Sequence, residues 1–273
     1  MVHTDIHGVG AIEPTETDAV EYRLDDQLAY VTLTRPERLN AVTAELYGGI
    51  CGALASASAD EARAVVLEGE GRAFCVGADM KNHDEADRTA AEKRRYAWAA
   101  QHACRRVQLH EQPVVAKVQG YAIGAGAELA LSADLVVMAA DAEIRFPETS
   151  IGTFVGGGVT YTLPQRVGVA TAKRLLLTAA TVDAETAADL GLVDDVVPAD
   201  ELDEAVVRLA TEIAENAPIS VAQVKELLNG WPVDPSLAMT AEVEALLTCM
   251  ESRDWREGVE AFADEREPVF EGR

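Results

Sequence analysis

Lysine is scarce in this chain, standing only at Lys81, Lys93, Lys117, Lys173 and Lys225. Arginine supplies the rest of the 23 cations, and these face 47 aspartates and glutamates for a formal net charge of −24. A field of that sign repels polyphosphates and excludes nucleic acid as a partner. Cysteine is sparse too. Cys51, Cys75, Cys104 and Cys249 stand far apart without a C-x-x-C pair, which argues against a disulfide framework or a thiolate zinc site and points to a reduced, cytoplasmic setting. No apolar run reaches the ~18 residues that a bilayer span needs, so no membrane partner is expected. Met1 to Thr17 carries Asp5, Glu13 and Glu16 and lacks a basic segment followed by an apolar one; it is read as a loose extension over residues 1–20 rather than a signal peptide.

What is present is an ordinary globular composition, 48% hydrophobic and 26% charged over 273 residues, enough for one large domain or a domain with an appendage. From Tyr22 the chain alternates like a half-buried strand through Leu28, Tyr30, Val31 and Leu33 and stops at Arg35-Pro36. Thr43 to Ser58 sets Leu46, Ile50 and Leu54 on one helical face, with Gly48, Gly49 and Gly52 marking close packing at some cost in helix propensity. Strands are expected at Ala64–Leu67, Val114–Val118 and Asp134–Ala139, and the alternation of strands with helices gives an α/β core over residues 21–199. Asn82 to Arg106 is crowded with charge and reads as a solvated loop entering a helix. Residues 200–273 read as helices: Asp200 as N-cap to a face of Leu202, Val206, Leu209 and Ile213, a helix from Pro218 to Gly230, and a last run through Leu246, Met250 and Phe262.

Three turns carry the chemistry. Gly120-Tyr121-Ala122-Ile123-Gly124-Ala125-Gly126-Ala127-Glu128 follows a strand and enters a helix, aiming backbone N–H groups at one point where they can hold an oxyanion. A dinucleotide fingerprint fails, since Leu129 stands where its third glycine belongs, and no Gly-Lys-Ser/Thr follows for a phosphate loop. Phe74-Cys75-Val76-Gly77-Ala78-Asp79-Met80 is a second small-residue turn able to supply another N–H. Phe146-Pro147-Glu148 through Gly156-Gly157-Gly158 brings a second carboxylate twenty residues after Glu128. The five histidines lie at no metal or nucleophile spacing, and Cys75 has no histidine beside it in sequence; all are read as packing or solvated groups.

With these turns, the chain resembles the crotonase (enoyl-CoA hydratase and isomerase) superfamily, which acts on acyl-CoA thioesters. The resemblance is carried by Arg35-Pro36-Glu37-Arg38-Leu39-Asn40-Ala41, Ala73-Phe74 through Lys81, Gly120 through Asp134, Pro147-Glu148 through the glycines, Ala187 to Val193, and Arg256-Glu257-Gly258 with Phe262. It implies an α/β spiral of repeated ββα units, a helical C-terminal part that assembles trimers or hexamers, and no cofactor beyond the coenzyme A of the substrate itself, with no metal. It further implies oxyanion donors at the N–H groups of Ala78 and Ala125, acid–base roles for Glu128 and Glu148, and a CoA cradle of Arg38, Leu39, Val76, Ala78, Asp79 and Met80.

Such a set suffices to hydrate a 2-enoyl-CoA. Two N–H groups hold the enolate-like oxygen, each worth about 2.7–4 kcal/mol in a dry site. Glu128 is assigned to activate water and Glu148 to deliver a proton to the α-carbon. An isomerase, a thioester hydrolase and a non-catalytic acyl-CoA-binding protein remain alternatives. The chain departs from the hydratase pattern at Val155 and at Val159-Thr160-Tyr161-Thr162-Leu163-Pro164, where Tyr161 either shapes the acyl end or fills a helix contact, and at Glu265, where a cation is common. These departures leave the acyl group open.

The acid excess and the lack of lysine suit a protein of high-salt cytoplasm, where the Debye length falls to about 3 Å and self-repulsion is screened. The melting temperature is therefore expected to rise from dilute buffer to molar KCl. Differential scanning fluorimetry across that range checks it, and a flat or falling trend would remove the inference.

Overall fold

The computed structural model describes residues 15–79, 89–230 and 235–273. β1 (Val20–Asp25) and β2 (Leu28–Leu33) form an antiparallel hairpin. The single alternating stretch expected there is two strands, because Asp26 takes a left-handed φ of 52° and reverses the chain. α1 (Ala44–Ala59) is capped by Thr43, whose hydroxyl accepts the Leu46 N–H. Its small residues are used as expected: a methyl on Gly52 would come within 2.7 Å of the Thr15 carbonyl. Of the supposed loose extension, residues 1–14 lie outside the described residues, while Ala19 and Val20 are buried in the core.

After β3 (Ala64–Gly69) comes α2 (Ala90–Gln108), opened by a reciprocal cap between Thr89 and Glu92. Arg94, Arg95, Arg105 and Arg106 lie on its exposed side. The chain continues through β4 (Val114–Val118), β5 (Tyr121–Ile123), α3 (Ala125–Ala130), β6 (Leu135–Ala139), β7 (Glu143–Arg145) and α4 (Val159–Thr178), which breaks at Gly168. β8 (Thr181–Asp183), α5 (Ala184–Asp189) and β9 (Asp195–Val197) complete the core.

The strands sort into two layers. One sheet runs β1-β2-β3-β4-β6-β9, parallel from β2 onward; the other runs β5-β7-β8. Bridges from Val42 to Ala78 and from Cys75 to Ala122 extend the second layer by two more short segments. The path therefore repeats: one strand in the first layer, one short segment in the second, then a helix. β2–Val42–α1, β3–Cys75 to Ala78–α2, β4–β5–α3 and β6–β7–α4 are four turns of this ββα spiral, as the resemblance implied. The first-layer strands are covered on both faces. Val65, Val66, Val114, Val115, Val136 and Val137 are all at most 1% exposed, and this is why they read as continuous apolar runs.

α6 (Leu202–Ala214) differs from expectation at its start. A 3-10 turn, Ala199–Glu201, runs directly into it, and Glu201 already has near-helical φ/ψ. Asp200 is therefore not the N-cap: no extended residue remains from which a carboxylate can swing back onto the first N–H groups. Its apolar face, with Leu202 and Val206 buried and Leu209 and Ile213 half-buried, packs on β3, β4 and β6 of the same chain. α7 (Pro218–Gly230) keeps its expected ends. The last helical run is two helices, α8 (Pro235–Glu251) and α9 (Arg253–Ala263), broken at Ser252, whose hydroxyl accepts the Trp255 N–H. The Phe262 side chain lies outside the described set. The tail folds back onto α9, where the Asp254 carboxylate accepts the N–H groups of Glu271 and Gly272.

Candidate active site

The second-layer segment from Cys75 to Asp79 is held on both sides by backbone hydrogen bonds. On one side Val76 N–H donates to Leu39 O at 3.2 Å, Val42 N–H to Gly77 O at 2.8 Å, and Asp79 N–H to Val42 O at 3.2 Å. On the other, Cys75 N–H donates to Tyr121 O and Ile123 N–H to Cys75 O, at 3.0 and 2.9 Å. The two small-residue turns are thereby laid side by side. A methyl on Gly77 would lie 2.7 Å from Ile123 O and 3.3 Å from Ala125 N. Among the described residues, the N–H groups of Ala78 and Ala125 donate to no backbone carbonyl of these turns. Gly124 carries the strained conformation, φ 54° and ψ −123°, so the alanine that follows it opens α3 without strain.

Glu128 sits in the first turn of α3, 4% exposed, and its Oε1 accepts the N–H of Gly156 at 2.5 Å. Burial pushes its carboxyl up to about 7, against the pull of the Gly156 N–H and with help from the nearby charge of Glu148. Glu148 opens a 3-10 turn directly after Pro147 and is 6% exposed. Its Oε1 lies 2.9 Å from where a Gly124 methyl would be, and its Oε2 is buried with no hydrogen-bond partner. Burial raises its pKa as well. Its own backbone N–H pulls the other way, but burial is the larger effect. The structure therefore brings Ala78, Ala125, Glu128 and Glu148 together around Gly124.

The residues expected to cradle CoA gather beside the same segment. Leu39 takes a left-handed φ of 50° in the turn closed by Asn40, a fully buried side chain that bonds Arg35 N–H, Glu70 O and Ala73 O. Asp79, 6% exposed, receives Arg35 and Arg38 at 3.0 Å each. Arg38 is thus half-buried in an ion pair rather than a loose surface cation. Met80 lies outside the described residues.

The model of the family described as enoyl-CoA hydratase/isomerase matches residues 23–273. The chain belongs to the enoyl-CoA hydratase/isomerase family. A short-chain-enoyl-CoA hydratase of Clostridium acetobutylicum is 33% identical over 92% of this chain and 97% of its own length. The crotonyl-CoA hydratase of Syntrophomonas wolfei is 32% identical over 90% of this chain and 95% of its own. The crystal structure of an enoyl-CoA hydratase from Bacillus anthracis superimposes with a TM-score of 0.89 at 31% identity, covering 93% of this chain and 100% of that one.

Within this family member two further points emerge. Tyr161 is 59% exposed on α4 and lines a cavity of about 700 Å³ with Leu131, Ile213, Val224 and Leu228; Glu128 and Glu148 are not among the residues lining it. At that exposure Tyr161 does not fill a helix–core contact. Cys75 is fully buried and its thiol is pushed up to about 12, which removes it as a nucleophile. The sequence reading missed the N–H of Gly156 and the Gln101 side chain beside it. A run of three glycines was the only signal for the first, and the second had none.

Glu128 keeps its proton to about pH 7 when folded and to about 4.5 at the ordinary value, so the native state binds the extra proton between these limits. Its contribution to stability therefore falls as pH rises through that window. Glu128→Gln is expected to be more stable than the parent above pH 7, the difference shrinking toward pH 4.5. Urea unfolding from pH 4 to 8 checks this, and parallel stability curves would contradict the raised carboxyl.

Proposed function

We propose that this chain is an enoyl-CoA hydratase that adds water across the 2,3 double bond of a 2-enoyl-CoA thioester. The observation that carries the reading is the meeting of two buried, proton-retaining carboxylates with two adjacent backbone N–H groups. In this reading the thioester oxygen is held by the N–H groups of Ala78 and Ala125, which draws electron density away from the β-carbon. Glu128 takes a proton from water as the water oxygen bonds to that carbon. The electron pair of the double bond moves into the enolate, and protonated Glu148 gives its proton to the α-carbon. Glu128 ends protonated and Glu148 ionised, and proton exchange resets the pair.

Burial raises both carboxyls, Glu128 to about 7, so each takes and gives a proton nearer neutrality than a free carboxylate does. The two titrate as a pair that shares protons, so the working microstate is set by both. Leu39, Val76, Ala78, Asp79 and Arg38 form the CoA side, the Arg38–Asp79 ion pair fixing the edge against which the nucleotide end lies.

Oligomerisation belongs to the same proposal. α8 exposes Met239, Val243, Leu246, Leu247 and Met250, an apolar stripe that suits a neighbouring subunit in a trimer or hexamer. None of the described helices is long and apolar enough to cross a membrane. The unpaired thiols suit a reducing cytoplasm and the charge suits a salty one.

Glu128→Gln and Glu148→Gln are each expected to keep acyl-CoA binding and to lose about 10²-fold or more in kcat. The assay follows conjugated-thioester absorbance and free thiol together on a panel of enoyl-CoA esters. Thiol release would favour a hydrolase, double-bond migration an isomerase, and normal turnover by both variants would remove the assignment. Light scattering in high salt is expected to give a trimer or hexamer; an active protein that stays monomeric would end the shared-interface part.

A further inference from the structure

The residues of the site adjoin in pairs. Gly77, which precedes Ala78, lies against the N–H of Ala125, and Gly124 lies against the Oε1 of Glu148. Glu128, on the first turn of α3, accepts the N–H of Gly156 at its Oε1. Gln101, from α2, stands beside Gly156 as well. A methyl built on Gly156 would lie 3.1 Å from Glu128 Oε2 and 3.4 Å from Gln101 Nε2, so the carboxylate oxygen and the side-chain amide flank the same point.

α2 lays one face along the glycine run. Gln101, Cys104 and Gln108 are spaced as helical neighbours; Cys104 Sγ lies 3.0 Å from a methyl position on Gly157, and Gln108 Nε2 donates to Gly157 O at 3.2 Å. Gln108 is thus used in holding the loop. Gln101 is half-buried, and among the described residues its amide makes no hydrogen bond. The other titratable groups coupled to Glu128 are weakly polar at most: Cys104 and Cys75 are fully buried thiols whose pKa burial raises, and Tyr47 is a buried phenol whose pKa is raised by burial. An amide in that setting has both N–H donors to offer. The adjacent carboxylate orients the NH₂ end toward Glu128.

Resting on the hydratase reading, we infer that Gln101 is a specificity-determining residue that meets the acyl chain just beyond the β-carbon and selects 2-enoyl-CoA esters carrying a neutral oxygen at carbon 4 or 5. The shared point between Glu128 Oε2 and Gln101 Nε2 sets the place. With the thioester carbonyl at Ala78 and Ala125, the α-carbon at Glu148 and the β-carbon at Glu128, the next carbons run toward Gln101. An aliphatic chain there leaves the amide unpaired against apolar surface, and a hydroxyl or carbonyl pairs it. A carboxylate-bearing chain is disfavoured, because it brings a third negative group beside Glu128 and Glu148.

The test compares 2-hexenoyl-CoA with its 4-hydroxy and 5-hydroxy analogues on the full-length protein and on Gln101→Leu. For the parent protein, kcat/KM for at least one hydroxylated ester is expected to exceed that for 2-hexenoyl-CoA by about tenfold. Gln101→Leu is expected to lose that advantage mainly through KM, bringing the ratio of kcat/KM for the hydroxylated ester over 2-hexenoyl-CoA to about one, with unchanged affinity for CoA alone. Equal rates on all three esters with the parent protein would overturn the inference even if the variant failed to fold. An equal loss on all three esters with the variant would also overturn it, and would mark Gln101 as a group serving the water rather than the chain. If the parent protein hydrates none of the three while releasing thiol or moving the double bond, the hydratase reading falls first and this inference with it.

Discussion

The constraint on which the site depends is how close the backbone of Cys75–Gly77 lies to that of β5 and the start of α3. A methyl on Gly126 would overlap the Cys75 carbonyl, and one on Gly77 would press on Ile123 O. Side chains cannot be tolerated at that seam, so the two turns approach until their main chains touch and hydrogen-bond. Main-chain N–H groups are positioned by secondary structure rather than by rotamers, and their aim does not fluctuate with a side chain. The same seam fixes what surrounds it. It delivers Ala78 next to Ala125, brings Asp79 under Arg35 and Arg38, and starts α3 where its first turn presents Glu128.

Opposed to this is the cost of keeping Glu128 and Glu148 inside. Each is less than 7% exposed, each has its pKa raised by burial, and one oxygen of Glu148 has no partner. Buried polar atoms without partners destabilise a fold, and two carboxylates that influence each other add to this at neutral pH. The apolar two-layer core supplies the offsetting stability: the parallel strands are covered on both faces, and α6 closes the outer face of the main sheet. The molecule thus concentrates its polar strain at two groups that neither hold nor release protons as free carboxylates do. The surface charge is a separate matter. Most acidic residues lie outside this centre, so salt acts on the stability of the whole chain more than on the chemistry of the pair.

Much of this was legible in the amino-acid sequence because it is local. The positions of β4 and β6 follow from apolar runs and their stops, and the glycine turns follow from residue types that few other structures require. What failed was also local: Asp26 splits a strand by a left-handed backbone that aspartate only sometimes adopts, and Asp200 was mistaken for a cap because the 3-10 turn before α6 leaves no trace in composition.

The sequence by itself determined the alternation of strands and helices, the charge, the two glutamates and the two small-residue turns, since each is a property of residue type at a given spacing. Only the tertiary structure decided that Glu128 is held by the N–H of Gly156, that Arg38 is tied to Asp79, that Tyr161 stays largely exposed, and that Gln101 stands beside Gly156 with Glu128. Those partners come from segments 27 to 55 positions apart in the chain or from the turn of one helix against another. Spacing along a sequence does not encode such distances; the register of β5 against Cys75 and the rotation of α2 over the glycine run do.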